Sequence, residues 1–234
     1  SDAIYIEGDA TDVNNAQTSL GINFLGSIEA TGTGGGITLV GKSGAGTSVD
    51  LATGIGGNIL ASSGIIQLVG ENTSNQVGVH IGTATIGFKA ATNVLASSSN
   101  VVFKADKYTF NNATVNSSGS LSVLSTDASS SFGEALSFGS NITLNSSLGG
   151  LVIGKTTNDV NVTLTHAQSI TGPIAVYGTD ISVEEDLTTT GATGDVLLKA
   201  VDNVSISSSK TITTSTGDVV FWADSDAQGD GYIH

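Results

Sequence analysis

Residues 212–223 read ITTSTGDVVFWA: a short apolar-led strand, a Thr/Ser/Gly corner, then a run in which the apolar positions alternate. The same order recurs at 187–200 (LTTTGATGDVLLKA), where Gly194, Asp195 and Val196 precede Gly217, Asp218 and Val219 by about 23 residues, a spacing typical of stacked repeats. Aligned on the apolar residue before each polar corner, eight copies begin at Ile28, Ile59, Val94, Val115, Ile142, Ile170, Leu187 and Ile212. Their spacing varies from roughly 17 to 35 residues, as in solenoids that keep their strands and vary their loops.

Successive side chains of a strand point to opposite faces, so each second strand divides into two columns. One column is apolar in every copy, from Ile37 and Leu39 through Val101 and Phe103 to Val219 and Phe221, and is placed in the core. The other is mixed, with Thr38, Lys104, Tyr177, Lys199 and Trp222, and is placed outside. Further short β signals at 48–51, 77–81, 85–90, 160–165 and 181–184 supply a third strand per coil. The pattern predicts an all-β chain, a right-handed parallel β-helix of roughly eight to nine coils, rising about 4.8 Å each into a rod about 40 Å long. Residues 1–20 are expected to be a lead-in or partial coil with a strand at Ile4, Tyr5 and Ile6, and 21–234 one continuous array. A pair of β-sandwich domains is the rival architecture.

Composition narrows the partners. The formal net charge is -14, from 21 acidic and 7 basic residues, and all the basic ones are Lys. Phosphate neutralisation needs a basic surface, so nucleic acid and anionic membrane surfaces are poor partners. No Cys is present, which removes disulfides, thiolate metal sites and a Cys nucleophile. The chain has no Met, and is therefore expected to be an excised or processed piece of something longer, whose export signal lies elsewhere. No run reaches the 18 or more apolar residues of a membrane span.

These repeats resemble the right-handed parallel β-helix of large secreted bacterial adhesins, the filamentous-haemagglutinin-like group, whose coils also alternate apolar strands with Gly/Ser/Thr/Asn corners. The closing stretch GDVVFWADSDAQGDGYI is similar to repeat segments of giant Bacteroidetes surface adhesins, some linked to gliding motility. The resemblance covers most of residues 21–234. It implies an extracellular segment on a bacterial cell surface, acting in attachment or surface motility, with neighbouring segments of its own long chain and a surface glycan or protein receptor as partners.

A parallel β-helix can also bind or cleave polysaccharides. Pectate-lyase-type enzymes resemble one another in using basic residues, often Arg, near calcium, and Arg is absent from this chain. Hydrolysis by paired carboxylates needs two acids at a defined separation. The acidic run Glu184, Glu185, Asp186 is better read as a solvated corner, since alternation sends neighbours to opposite faces. His80, His166 and His234 lie in different coils without a nucleophile motif. The chain is accordingly expected not to be an enzyme and to need no cofactor. Asp224, Asp226 and Asp230 in DSDAQGDG are the one candidate metal set, for structural Ca²⁺; the competing reading is a set of Asx turns, with which Asp106, Asp127, Asp180 and Asp202 also agree. Tyr177 and Trp222 occupy one outward position in different copies, where they either lie under loops or stack on a sugar or a protein.

Overall fold

A computed structural model describes residues 3–11, 20–44, 46–51, 57–74, 76–229 and 231–234. The first wall is a nine-stranded parallel sheet made of β1 (Ile4–Ala10), β4 (Ile37–Ser43), β7 (Ile65–Asn72), β10 (Asn100–Ala105), β13 (Ser120–Leu124), β16 (Gly150–Ile153), β19 (Ile174–Gly178), β22 (Val196–Ala200) and β25 (Val219–Trp222). Every third strand thus returns to the same wall, one coil on.

The second wall has two four-stranded parallel sheets: β2 (Ile22–Phe24), β5 (Val49–Leu51), β8 (Val79–Ile81) and β11 (Tyr108–Phe110), then β14 (Leu136–Phe138), β17 (Val162–Leu164), β20 (Ile181–Val183) and β23 (Val204–Ile206). The third wall joins β3 (Ser27–Ala30), β6 (Asn58–Ala61), β9 (Thr85–Gly87), β12 (Ala113–Asn116) and β15 (Ile142–Leu144), followed by β18 (Gln168–Ile170), β21 (Leu187–Thr189) and β24 (Ile212–Thr214). The molecule is therefore a right-handed parallel β-solenoid of eight three-stranded coils, begun by β1, with a ninth rung at β25.

The core is the inward columns stacked in register. On the first wall Ile37, Ile66, Val101, Leu121, Leu151 and Ile174 follow one another at successive rungs, all fully or nearly fully buried. Burying one such side chain stabilises the fold by about 1.5–3 kcal/mol, and the apolar partner one rung away packs beside it. Glycine recurs toward the end of the first three strands of this wall: Gly8, Gly41 and Gly70 are stacked in register, and a Cβ at Gly41 would lie 1.8 Å from the Ser48 carbonyl oxygen. The return strand therefore passes too close for any side chain there.

Three sequence expectations need correction. Val94 begins no strand; β9 stands at that place in the third wall, pairing with β6 and β12, while Val94 is buried in the connection to β10. Only the corner half of that copy is in register, since the Ser98 and Asn100 N–H groups donate to the Ser62 and Gly64 carbonyls. Two copies are shifted in register: Leu144 rather than Ile142 is level with Val115, and Gln168 rather than Ile170 with Leu187 and Ile212. Val219 and Phe221 point inward as expected but do not form closed core: Val219 is 41% exposed and Phe221 half-buried, because no rung covers them among the described residues. The strand expected at Ile4, Tyr5 and Ile6 runs on to Ala10 and pairs throughout with β4 as the first rung.

Candidate functional site

Two places on the outside of the rod carry chemistry. The first is the C-terminal end of the outward column on the first wall. Tyr177, Lys199 and Trp222 occupy consecutive rungs in register. Trp222 is 49% exposed, and the Lys199 ammonium lies 4.3 Å from its ring centroid, so one ring face holds a cation by its quadrupole. Tyr177 is half-buried. The aromatic pair is brought onto one line, with a lysine between its members that the sequence reading had placed outward without giving it a role.

The acidic loop that follows is folded on itself. Asp224 has a left-handed φ of 52°, and its carboxylate accepts the Gly229 N–H at 2.9 Å; Asp226 accepts the Gln228 N–H at 3.2 Å. Both thus act as turn caps. Asp230 lies outside the described residues. Among the described residues no three His, Asp or Glu side chains come together as a metal set.

Other acidic and amide side chains reach one coil onward to cap the backbone of the equivalent corner. The Asn161 side-chain oxygen accepts the Asp180 N–H, Asp180 accepts the Asn203 N–H and amide, and Asn203 accepts the Tyr232 N–H, forming one ladder. Asp186 accepts both the N–H and hydroxyl of Thr211, and the Thr211 N–H holds its carboxyl below the usual range. Glu185 pairs with Lys210 at 2.5 Å. His80 Nδ1 lies 2.8 Å from the Asp50 carboxylate one rung back, whereas His166 and His234 stand in other coils.

The second place was not singled out from the sequence: the shoulder formed by residues 125–135, inserted between β13 and β14. Asp106 organises it, accepting the N–H and hydroxyl of Thr126 at 3.0 and 2.9 Å and the hydroxyl of Ser129 at 2.6 Å. The Lys155 ammonium donates to the Thr126 and Ser129 carbonyls at 2.5 and 2.6 Å, so a lysine stands where a bound cation would hold such a loop. Asn158 fixes the far end: its oxygen accepts from Ser131 and the Phe132 N–H, and its amide donates to the Val160 and Tyr177 carbonyls. Phe132 enters the wall and packs edge-on to Tyr108, with ring centroids 5.9 Å apart, where β11 and β14 do not pair.

Asp106 separates two concavities. A cleft of about 210 Å³ opens over Tyr108, Phe132 and Leu136, with the Lys107–Glu134 ion pair (3.0 Å) at its rim. A groove of about 350 Å³ runs between Glu71, Asn72 and the Thr126–Ser129 turn. Lys104 lies beside it, 2.8 Å from Asp127, and lowers that carboxyl's pKa. The detectable signal was a polar stretch, STDASSSFGEA, containing a single aromatic residue.

Among the described residues no helix is long and apolar enough to cross a membrane. Comparison of the chain with protein-family models, with curated proteins and with solved structures returned no match.

Proposed function

We infer that this chain is a structural and interaction segment of a secreted bacterial surface adhesin or filament, of the filamentous-haemagglutinin-like kind that its repeats resemble, serving attachment or surface motility. The observation that carries this reading is the nine-stranded wall, whose parallel pairing runs unbroken from β1 to β25 and makes the coils one stiff stack. The role is mechanical: stacked coils hold distance while the irregular corners display contact surface. The test is location and attachment. Antibody against the chain is expected to label intact, unpermeabilised source cells and to reduce their attachment; label appearing only after lysis would overturn the reading.

A second reading is favoured by one observation, the Tyr177, Lys199 and Trp222 line: a carbohydrate-binding or polysaccharide-cleaving β-helix. Exposed aromatic faces stack on sugars, and Lys199 would favour an acidic one. Trp222→Ala is expected to leave folding intact and weaken glycan binding; an unchanged binding curve removes this line from consideration. We assign no catalytic step, and expect no new reducing ends or unsaturated products from acidic polysaccharides. Either product would move the assignment to the cleaving enzyme.

A further inference from the structure

The three walls differ on their outer sides. Outward positions of the second wall are polar, Asp50, His80 and Thr109 in one sheet and Thr163, Ser182 and Ser205 in the other. Those of the third wall are largely hydroxyl side chains, such as Thr114, Thr143, Thr188 and Thr213. The first wall instead turns Val69, Val102, Val152, Leu197 and Val220 to solvent, half-buried or exposed. Its two central outward columns run in register from Tyr5 through Val102 and Val152 to Val220, and from Glu7 through Val69 and Lys104 to β13 and, beyond β16, from Tyr177 to Trp222. In a chain with 21 acidic residues, Glu7 is the one carboxylate in these columns.

We propose that this face binds a second copy of the chain, face to face, with the rungs in opposite order about a two-fold axis along β13. This interaction surface is independent of whether the chain serves attachment. Its size is sufficient: nine rungs about 4.8 Å apart and about five residues wide give about 700 Å² per copy, near the roughly 800 Å² per partner of a standard interface. Its apolar positions agree with the reversed order: Tyr5 then faces Val220 and Val69 faces Tyr177, while the charged groups Glu7 and Lys104 keep partners in their own copy, Lys42 and Asp127. The other two-fold arrangement, about the rod axis, keeps the rungs in the same order and sets one column against the other, Val69 against Gln67, Val102 against Lys104 and Leu124 against Ser122. In the reversed order Val102 meets Val152, Leu197 meets Thr38, and Leu124 meets Leu124.

Sedimentation equilibrium of the whole chain tests this. A dimer is expected below about 100 µM. Val152→Lys and Leu197→Glu, both outward and each checked for an unchanged circular dichroism spectrum, are expected to raise the dissociation constant about tenfold or more. Val102→Glu is expected to weaken the dimer, and adding Val152→Lys, which faces it in the other copy, to restore it. Because the chain has no Cys, Leu124→Cys provides a single thiol, and two of them about 10 Å apart across the packed faces are expected to be joined by a bismaleimide of that span, being too far apart for a disulfide. A monomer throughout, a dimer indifferent to both face variants, no rescue by the charge pair, or a dimer that does not cross-link through Leu124→Cys would each overturn the proposal.

Discussion

The carboxylate of Asp195 accepts the backbone N–H of Asp218 at 2.9 Å, so the Gly-Asp-Val corner is one residue pattern used twice in different circumstances. Asp195 has a coil above it to cap; Asp218 belongs to the last rung. Asp195→Ala is therefore expected to destabilise by about 1 kcal/mol, and Asp218→Ala by no more than a few tenths. Urea unfolding of the two variants measures the difference, and equal losses would contradict this account of the corner ladder.

Asn158 makes a stronger prediction. It is 2% exposed; its side-chain oxygen holds the shoulder at Ser131 and Phe132, and its amide is anchored on the Val160 and Tyr177 carbonyls. Asn158→Ala leaves the Phe132 N–H and the Tyr177 carbonyl without their partner, at a cost of about 2–4 kcal/mol. Limited proteolysis should then cut first within 125–135. A variant as stable and resistant as the parent would show that Asp106 and Lys155 hold the shoulder without Asn158.

The same apolar residue type should count differently along one column. Leu198 is fully buried and Phe221, next in register, is half-buried at the open end. Leu198→Ala is expected to cost about 2–5 kcal/mol, and Phe221→Ala clearly less despite removing the larger side chain. Thermal unfolding of both variants checks the order, which reverses if another coil or copy covers the end.

Acid should loosen the rod at its corners. The carboxyls of Glu7, Asp127 and Asp186 are held below their ordinary values, by Lys42, by Lys104 and by the Thr211 N–H respectively. A group whose folded pKa is depressed contributes stability that is complete above its unfolded value and is lost as pH falls through the folded one. The melting temperature is therefore expected to fall as pH drops from about 5 to about 2, and to fall less steeply in Asp186→Asn, which keeps an acceptor for Thr211 but cannot titrate. Identical slopes would remove Asp186 from the acid response.

Much of the solenoid was legible in the residues because period-two alternation states the inside of a strand directly. Val101, Phe103, Val196 and Leu198 could be placed in the core from their columns alone. Val94 could not, because VLASSS and ILASSG share their letters while only the serine corner shares their place; a loop residue that packs on the rod is as apolar as a strand residue within it. Val219 and Phe221 were misjudged since alternation gives the direction of a side chain and not whether another coil lies beyond. The shoulder was missed for a related reason. Its partners come from the coils on either side, Asp106 from the one before and Lys155 and Asn158 from the one after, and hydroxyl-rich loops carry no periodicity that would announce them.

The interruption at the fifth coil gives the rod an uneven load path. That coil is joined to the one before it through β10–β13 and β12–β15, and to the one after it through β13–β16 and β14–β17. Tension or bending entering on the first and third walls must leave on the first and second. The nine-stranded wall therefore acts as a spine, and the fifth coil is the place where the other two walls can yield while the spine holds.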